Sequence, residues 1–199
     1  MKKKEEHKKG YKILVFLLTP VFYFFYRKPK IVNKEVIPSE GPIIICGNHK
    51  HLMDQCLAII STKRMIHYMA KIEYFRNKKV AWFFKTVGCI PVNREIKDTA
   101  SKERAIGLLK EGYAVGIFPE GTRNRTDAIL LPLKFGTVSM AQKTGATIVP
   151  FAITGDYKFR TKNLKITYGN PFKVPENMTL EKANEKLTKE ITRLLKENQ

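Results

Sequence analysis

The sequence predicts an α/β fold: one domain with a mostly parallel or mixed sheet flanked by helices on both faces. Three observations predict it. Apolar or β-rich runs at 43–46, 65–70, 89–92, 114–118, 147–153 and 164–168 alternate with stretches of helical spacing. Runs such as Ile43-Ile44-Ile45-Cys46 are apolar throughout, as strands covered on both faces are. A loop signal, Pro38-Ser39-Glu40-Gly41-Pro42, separates this region from a basic, aromatic-rich beginning. The chain therefore divides into an N-terminal membrane-association segment, residues 1–38, and an α/β domain, residues 39–199.

Residues 1–12 carry six lysines against two glutamates, and Ile13 to Tyr26 carry no charge. No small-residue cleavage site follows the apolar run, which argues against a signal peptide. As a helix the run reaches about 21 Å, short of a hydrocarbon core of about 30 Å. Pro20 should kink it further. Basic residues flank it on both sides, with Arg27, Lys28, Lys30 and Lys34 following, so no orientation across a bilayer is favoured. The segment is expected to lie in the interface of an anionic leaflet, with the rings of Phe22 to Tyr26 at headgroup depth. A helix packed into the core and a helix spanning the bilayer are the alternatives.

The run at 43–46 is a buried strand ended by Gly47, and a helix begins near Asp54. Residues 72–87 place Phe75, Val80, Phe83, Phe84 and Val87 at helical spacing. Residues 99–110 do the same with Ala105, Ile106, Leu108 and Leu109, after a polar start at Asp98-Thr99 and before a stop at Gly112. A helix over 134–144 closes at Gly145. The C-terminal stretch sets Leu180, Ala183, Leu187, Ile191, Leu194 and Leu195 on one face, expected to pack on the sheet.

A chain of 199 residues with 43% hydrophobic content can bury one substantial core. Its net charge of +19 calls for a polyanionic partner: nucleic acid, an anionic membrane surface or a phosphorylated substrate. Cys46, Cys56 and Cys89 form no disulfide framework, which fits a reducing cytosolic environment.

Candidate chemistry sits where strands end, since open α/β sheets bind ligands at strand termini. In Asn48-His49-Lys50-His51-Leu52-Met53-Asp54 an imidazole follows a strand, and a carboxylate lies five residues on. That pair can act as a general base near neutral pH, or Asp54 can simply favour the start of a helix. Gly88-Cys89-Ile90-Pro91-Val92-Asn93-Arg94 delivers an arginine at a strand end. Phe118-Pro119-Glu120-Gly121-Thr122-Arg123 follows another strand and joins a carboxylate, a hydroxyl and a guanidinium. Arginine matches phosphate oxygens with a planar fork, and glycine lets a ligand approach the backbone. Ile148-Val149-Pro150-Phe151 is a third strand ended by proline. Singly these are surface charges or ion pairs; together they place a base beside a phosphate pocket.

The order and spacing of these blocks, over about residues 40–155, resemble the glycerolipid acyltransferases, above all the bacterial 1-acyl-glycerol-3-phosphate acyltransferases. The resemblance implies the glycerol-3-phosphate acyltransferase-like α/β fold. It implies transfer of a fatty acyl chain from acyl-CoA or acyl-carrier protein to the sn-2 hydroxyl of 1-acylglycerol 3-phosphate, giving phosphatidic acid for phospholipid biosynthesis. His49 would be the general base and Asp54 its orienting carboxylate. Glu120, Gly121, Thr122 and Arg123 would hold the glycerol phosphate, with Arg94 and, by a looser match, Lys71 near the phosphate. Val149 and Pro150 would line the acyl-donor side. No cofactor or metal is implied, only the thioester co-substrate. The implied setting is the cytoplasmic face of the cell membrane, peripheral or monotopic, with an anionic phospholipid surface as partner. In one place the chain departs from the pattern: His51 stands where the first block usually has a serine.

The chemistry agrees with those roles. A lipid hydroxyl needs its proton removed during attack, whereas a thiolate leaves with little acid help. One base suffices, and no G-x-S-x-G elbow points to an acyl-serine. Two other acceptors fit the same chemistry, glycerol 3-phosphate and another lysophospholipid. A zinc site at His49, His51 and Asp54, with Cys46 or Cys56, leaves the Glu120–Arg123 block unexplained. A nucleic-acid partner has only the net charge in its favour, because the lysines are scattered and no binding signature is present.

Overall fold

The structure, a computed structural model, describes residues 2–93, 95–96 and 98–198. Among the described residues one sheet has seven strands: β1 (Lys30–Val32), β2 (Ile43–Gly47), β3 (Ile66–Lys71), β4 (Ile90–Val92), β5 (Ala114–Ile117), β6 (Thr147–Thr154) and β7 (Lys165–Tyr168). Their spatial order is β1-β7-β6-β2-β5-β3-β4. Every pairing is parallel except β6 with β7, which is antiparallel. The expected parallel or mixed sheet is therefore mixed, with helices on both faces.

Strand β2 lies at the centre, with Ile43 opposite both Ala114 and Thr147. Side chains alternate across a strand, so a run without polar residues serves two cores. Ile44 and Cys46 pack with Val115, Ile148 and Ala152 beneath α4 (Thr99–Lys110), α5 (Gly136–Thr144) and α6 (Leu180–Glu197). From these helices Leu109, Met140, Leu187 and Ile191 are buried, the C-terminal face packing on the sheet as expected. Ile43 and Ile45 pack on the opposite face with Phe151, Ile166 and Tyr168. That face is covered by α2 (Asp54–Ile60), through Leu57 and Ala58, and by Phe22 of α1 (Lys2–Tyr26).

Three elements depart from expectation. Lys30–Val32 pairs in parallel with β7, so the sheet takes in residues before the boundary expected at 39. Three residues are too few to show a strand periodicity in sequence. The helix expected over 72–87 is a 3₁₀ turn, Ile72–Phe75, followed by α3 (Lys78–Thr86). Asn77 makes the break: its side chain accepts the N–H groups of Lys79 and Val80, capping α3. Helix α1 runs through Pro20 and ends where Arg27 and Lys28 take left-handed φ values of 44° and 56°.

Helix α1 has a buried side and an exposed one. Tyr11 and Phe22 are buried, whereas Ile13, Phe16, Leu17, Val21 and Phe24 form an exposed apolar stripe. Among the described residues no helix is long and apolar enough to cross a membrane.

Candidate active site

Gly47 ends β2 where only glycine fits: a Cβ there would lie 2.3 Å from the Phe151 ring and backbone. The next residue, Asn48, extends the sheet with its side chain. Its amide donates to the Ile153 carbonyl at 3.0 Å, and its oxygen accepts the Ile153 N–H at 2.7 Å. His49 is thereby held at the strand tip.

Asp54, fully buried, opens α2 and faces back into this turn. Its Oδ2 accepts from His49 Nδ1 at 2.8 Å and from the Lys50 and His51 N–H groups, each at 2.7 Å. Its Oδ1 accepts the Tyr157 hydroxyl at 2.7 Å. With two backbone N–H groups and the Tyr157 hydroxyl aimed at it, the carboxylate acts as an acceptor. Nδ1 of His49 must then carry the proton, which leaves Nε2 as the basic nitrogen. Burial first, then the charge of Asp54, pushes the Tyr157 hydroxyl far above its ordinary range, so it stays a donor.

The loop after β5 grips the same histidine. Phe118 stacks on the imidazole, ring centroids 4.0 Å apart and planes 12° from parallel. Glu120 Oε1 accepts the His49 N–H at 2.6 Å, and the Asn124 N–H donates to the His49 carbonyl at 2.6 Å. Glu120 Oε2 accepts the Leu131 N–H at 2.9 Å. Glu120, expected to hold substrate, is buried, and each of its oxygens accepts a backbone N–H. Its carboxyl is raised by burial, partly offset by those two N–H groups. Gly121 follows at φ 73° and turns the chain toward the cavity.

His49, Lys71, Gly121, Thr122 and Arg123 come together around one cavity of about 550 Å³. Arg125, which the sequence reading passed over, joins them; a second arginine two residues after the first was the signal available. Lys71 pairs with Glu73 at 2.8 Å and is half-exposed. Arg94 lies outside the described residues. Val149 and Pro150, expected on the acyl-donor side, are buried in β6, opposite Ile45 and Cys46.

A second cavity of about 310 Å³ is almost wholly apolar and lies between α1, α2 and α3. It shares Gln55, Tyr68, Phe84 and Cys89 with the first. The polar site thus adjoins an apolar space large enough for part of an alkyl chain.

His51 stacks on Tyr157, centroids 4.2 Å apart, and its Nδ1 accepts the Met53 N–H at 3.2 Å. It buttresses the tyrosine that holds Asp54. A metal at His49, His51 and Asp54 would have to displace these donors, and the Cys56 thiol is pushed up to about 11 by burial. Among the described residues no group of His, Cys, Asp and Glu is arranged to hold a metal ion.

The comparisons with known proteins decide the family. The acyltransferase family model matches residues 28–154. The 1-acyl-sn-glycerol-3-phosphate acyltransferase of Bacillus subtilis (strain 168) is 39% identical over 147 residues, which cover 71% of this chain and 72% of the relative. The chain belongs to the acyltransferase family. The enzyme of the same description from Borreliella burgdorferi is 36% identical to this acyltransferase, covering 70% of the chain and 56% of the relative. In fold, the acyltransferase is similar to the crystal structure of the 1-acyl-sn-glycerophosphate (LPA) acyltransferase PlsC from Thermotoga maritima. The TM-score is 0.72 at 24% identity, over 97% of this chain and 78% of that one.

Proposed function

We propose that this acyltransferase esterifies the sn-2 hydroxyl of 1-acylglycerol 3-phosphate with a fatty acyl chain from acyl-CoA or acyl-carrier protein, forming phosphatidic acid. One observation carries the reading: His49, its ring bonded to the buried Asp54, borders the same cavity as Lys71, Thr122, Arg123 and Arg125, and that cavity adjoins an apolar one. A base, cationic groups for a phosphate and space for an alkyl chain are what a lysophosphatidic acid requires.

His49 Nε2 takes the acceptor's hydroxyl proton as its oxygen attacks the thioester carbonyl. Collapse of the tetrahedral intermediate forms the ester and breaks the C–S bond. The thiolate leaves and recovers the proton from His49, so no covalent enzyme intermediate is needed. Asp54 fixes the ring and stabilises the imidazolium between the two transfers; Tyr157 and the backbone donors fix Asp54. Thr122, Arg123, Arg125 and Lys71 hold the acceptor phosphate. The exposed apolar stripe of α1, flanked by lysines, rests in the anionic cytoplasmic leaflet that supplies the lipid acceptor.

The test offers the purified protein 1-acylglycerol 3-phosphate, glycerol 3-phosphate and other lysophospholipids, each with acyl-CoA and with acyl-carrier protein, reading products by mass. Phosphatidic acid from the first acceptor is expected. Products from the other acceptors alone would overturn the assignment.

A further inference from the structure

Helix α3 carries aromatic surface that no other part of the described chain covers. Trp82 is 70% exposed. Helical spacing puts Lys78 and Lys79 one turn before Trp82 and Lys85 one turn after it, and all three are exposed. From Tyr74 to Asn93 the chain holds no acidic residue. An indole framed by lysines suits an anionic lipid interface, the ring at headgroup depth and the ammonium groups reaching to phosphates.

The position of α3 gives that surface a purpose. Thr86, one turn beyond Trp82, meets α1 at Gly10, where an added Cβ would lie 2.9 Å from Thr86 Cγ2. The outward side of α3 therefore borders α1, whose own outward stripe includes Phe16 at 79% exposure. Toward the active site, Tyr74 stacks on Phe84 of α3 at 5.0 Å, and both line the His49 cavity. Helix α3 thus stands between the lipid-facing helix and the cavity mouth. A second copy of the chain is a poorer occupant of this face, since pairing α3 with α3 would oppose lysine to lysine.

We propose that α3 is a second membrane-docking element, seating the Trp82 face in an anionic lipid surface beside α1 and holding the mouth of the His49 cavity against the leaflet. The inference rests on the membrane-associated reading of α1 and extends it to an element inside the α/β fold.

Trp82 is the chain's single tryptophan, so its emission reports this site alone. The full chain is mixed with vesicles of phosphatidylglycerol and phosphatidylcholine, or of phosphatidylcholine only. With the anionic vesicles, a blue shift and quenching by lipids brominated at shallow depth are expected. Trp82→Glu, and separately Lys78→Glu with Lys79→Glu and Lys85→Glu, should each weaken vesicle binding about tenfold. Turnover of a short-chain, monomeric acceptor should be unchanged in Trp82→Glu. Co-sedimentation with silent Trp82 emission, and Trp82→Glu binding as tightly as the parent, would overturn the role of α3 and leave α1 as the docking element. A parent chain that fails to co-sediment overturns the membrane reading and this proposal together. Self-association of α3 faces in solution, shown by a dimer that Trp82→Glu dissolves, also overturns it.

Discussion

Glu120 holds the backbone of His49: its Oε1 accepts the His49 N–H at 2.6 Å, while its Oε2 takes the Leu131 N–H. One buried carboxylate ties the turn after β2 to the loop after β5. Glutamine has one acceptor oxygen and would set its NH₂ against the other N–H. Glu120→Gln is expected to lower kcat about 10- to 100-fold with little change in acceptor KM. Steady-state kinetics check this; a rise in KM at constant kcat would make Glu120 a substrate contact instead.

The same residue predicts a pH signature. Burial raises its folded-state carboxyl pKa above the ordinary 4.5. The folded protein then holds a proton that the unfolded chain releases. That contribution to stability is fully present below the unfolded value and is lost as pH rises through the raised one. The Tm of the parent minus that of Glu120→Gln should therefore fall as pH moves from acid toward neutral. A difference independent of pH would contradict it. The ionised carboxylate costs stability and is kept for the geometry it imposes.

His49→Ala removes the proposed base and leaves Asp54 its three remaining donors. Turnover should fall by about 10²–10⁴-fold or more with the fold retained. Product formation by mass, beside circular dichroism, checks this; near-parental turnover would remove His49 from the mechanism.

Tyr157→Phe deletes the donor to Asp54 Oδ1 but keeps the ring stacked on His51 and edge-on to Tyr26 at 5.4 Å. An unsatisfied buried carboxylate oxygen costs about 1–3 kcal/mol. A Tm lower by several degrees and a reduced kcat are expected, with acceptor KM near the parent's. Thermal melts and kinetics with parental values would show the hydroxyl to be dispensable.

Arg123→Ala and Arg125→Ala should each raise acceptor KM about tenfold, more at low salt, while leaving donor KM alone. A change in donor KM alone would move the arginines to the thioester side.

Much of this was legible in the chain. The strands from 43 onward, the C-terminal helix and the His49–Asp54 pair follow from local patterns of apolar spacing and turn residues. The Asn77 cap was also written there, yet apolar spacing over 72–87 hid it, because a helix and a 3₁₀ turn followed by a helix share that spacing. The backbone bonds of Glu120 and the burial of Val149 and Pro150 are not legible in the chain for a different reason. Residue type does not say which way a side chain faces across a sheet or loop.

The sequence by itself determined the α/β class, the order of the motifs and the closeness of His49 to Asp54, since these depend on neighbours a few residues apart. Tertiary structure alone decided what holds that histidine. Glu120 reaches His49 across 71 residues of chain, and Tyr157 reaches Asp54 across 103. Tyr157 carries no motif that marks it, and the exposure of Trp82 is likewise read only from the folded chain. Hydrogen bonds and burial depend on distance in space, and the β2–β5–β6 arrangement is what brings those distant segments together.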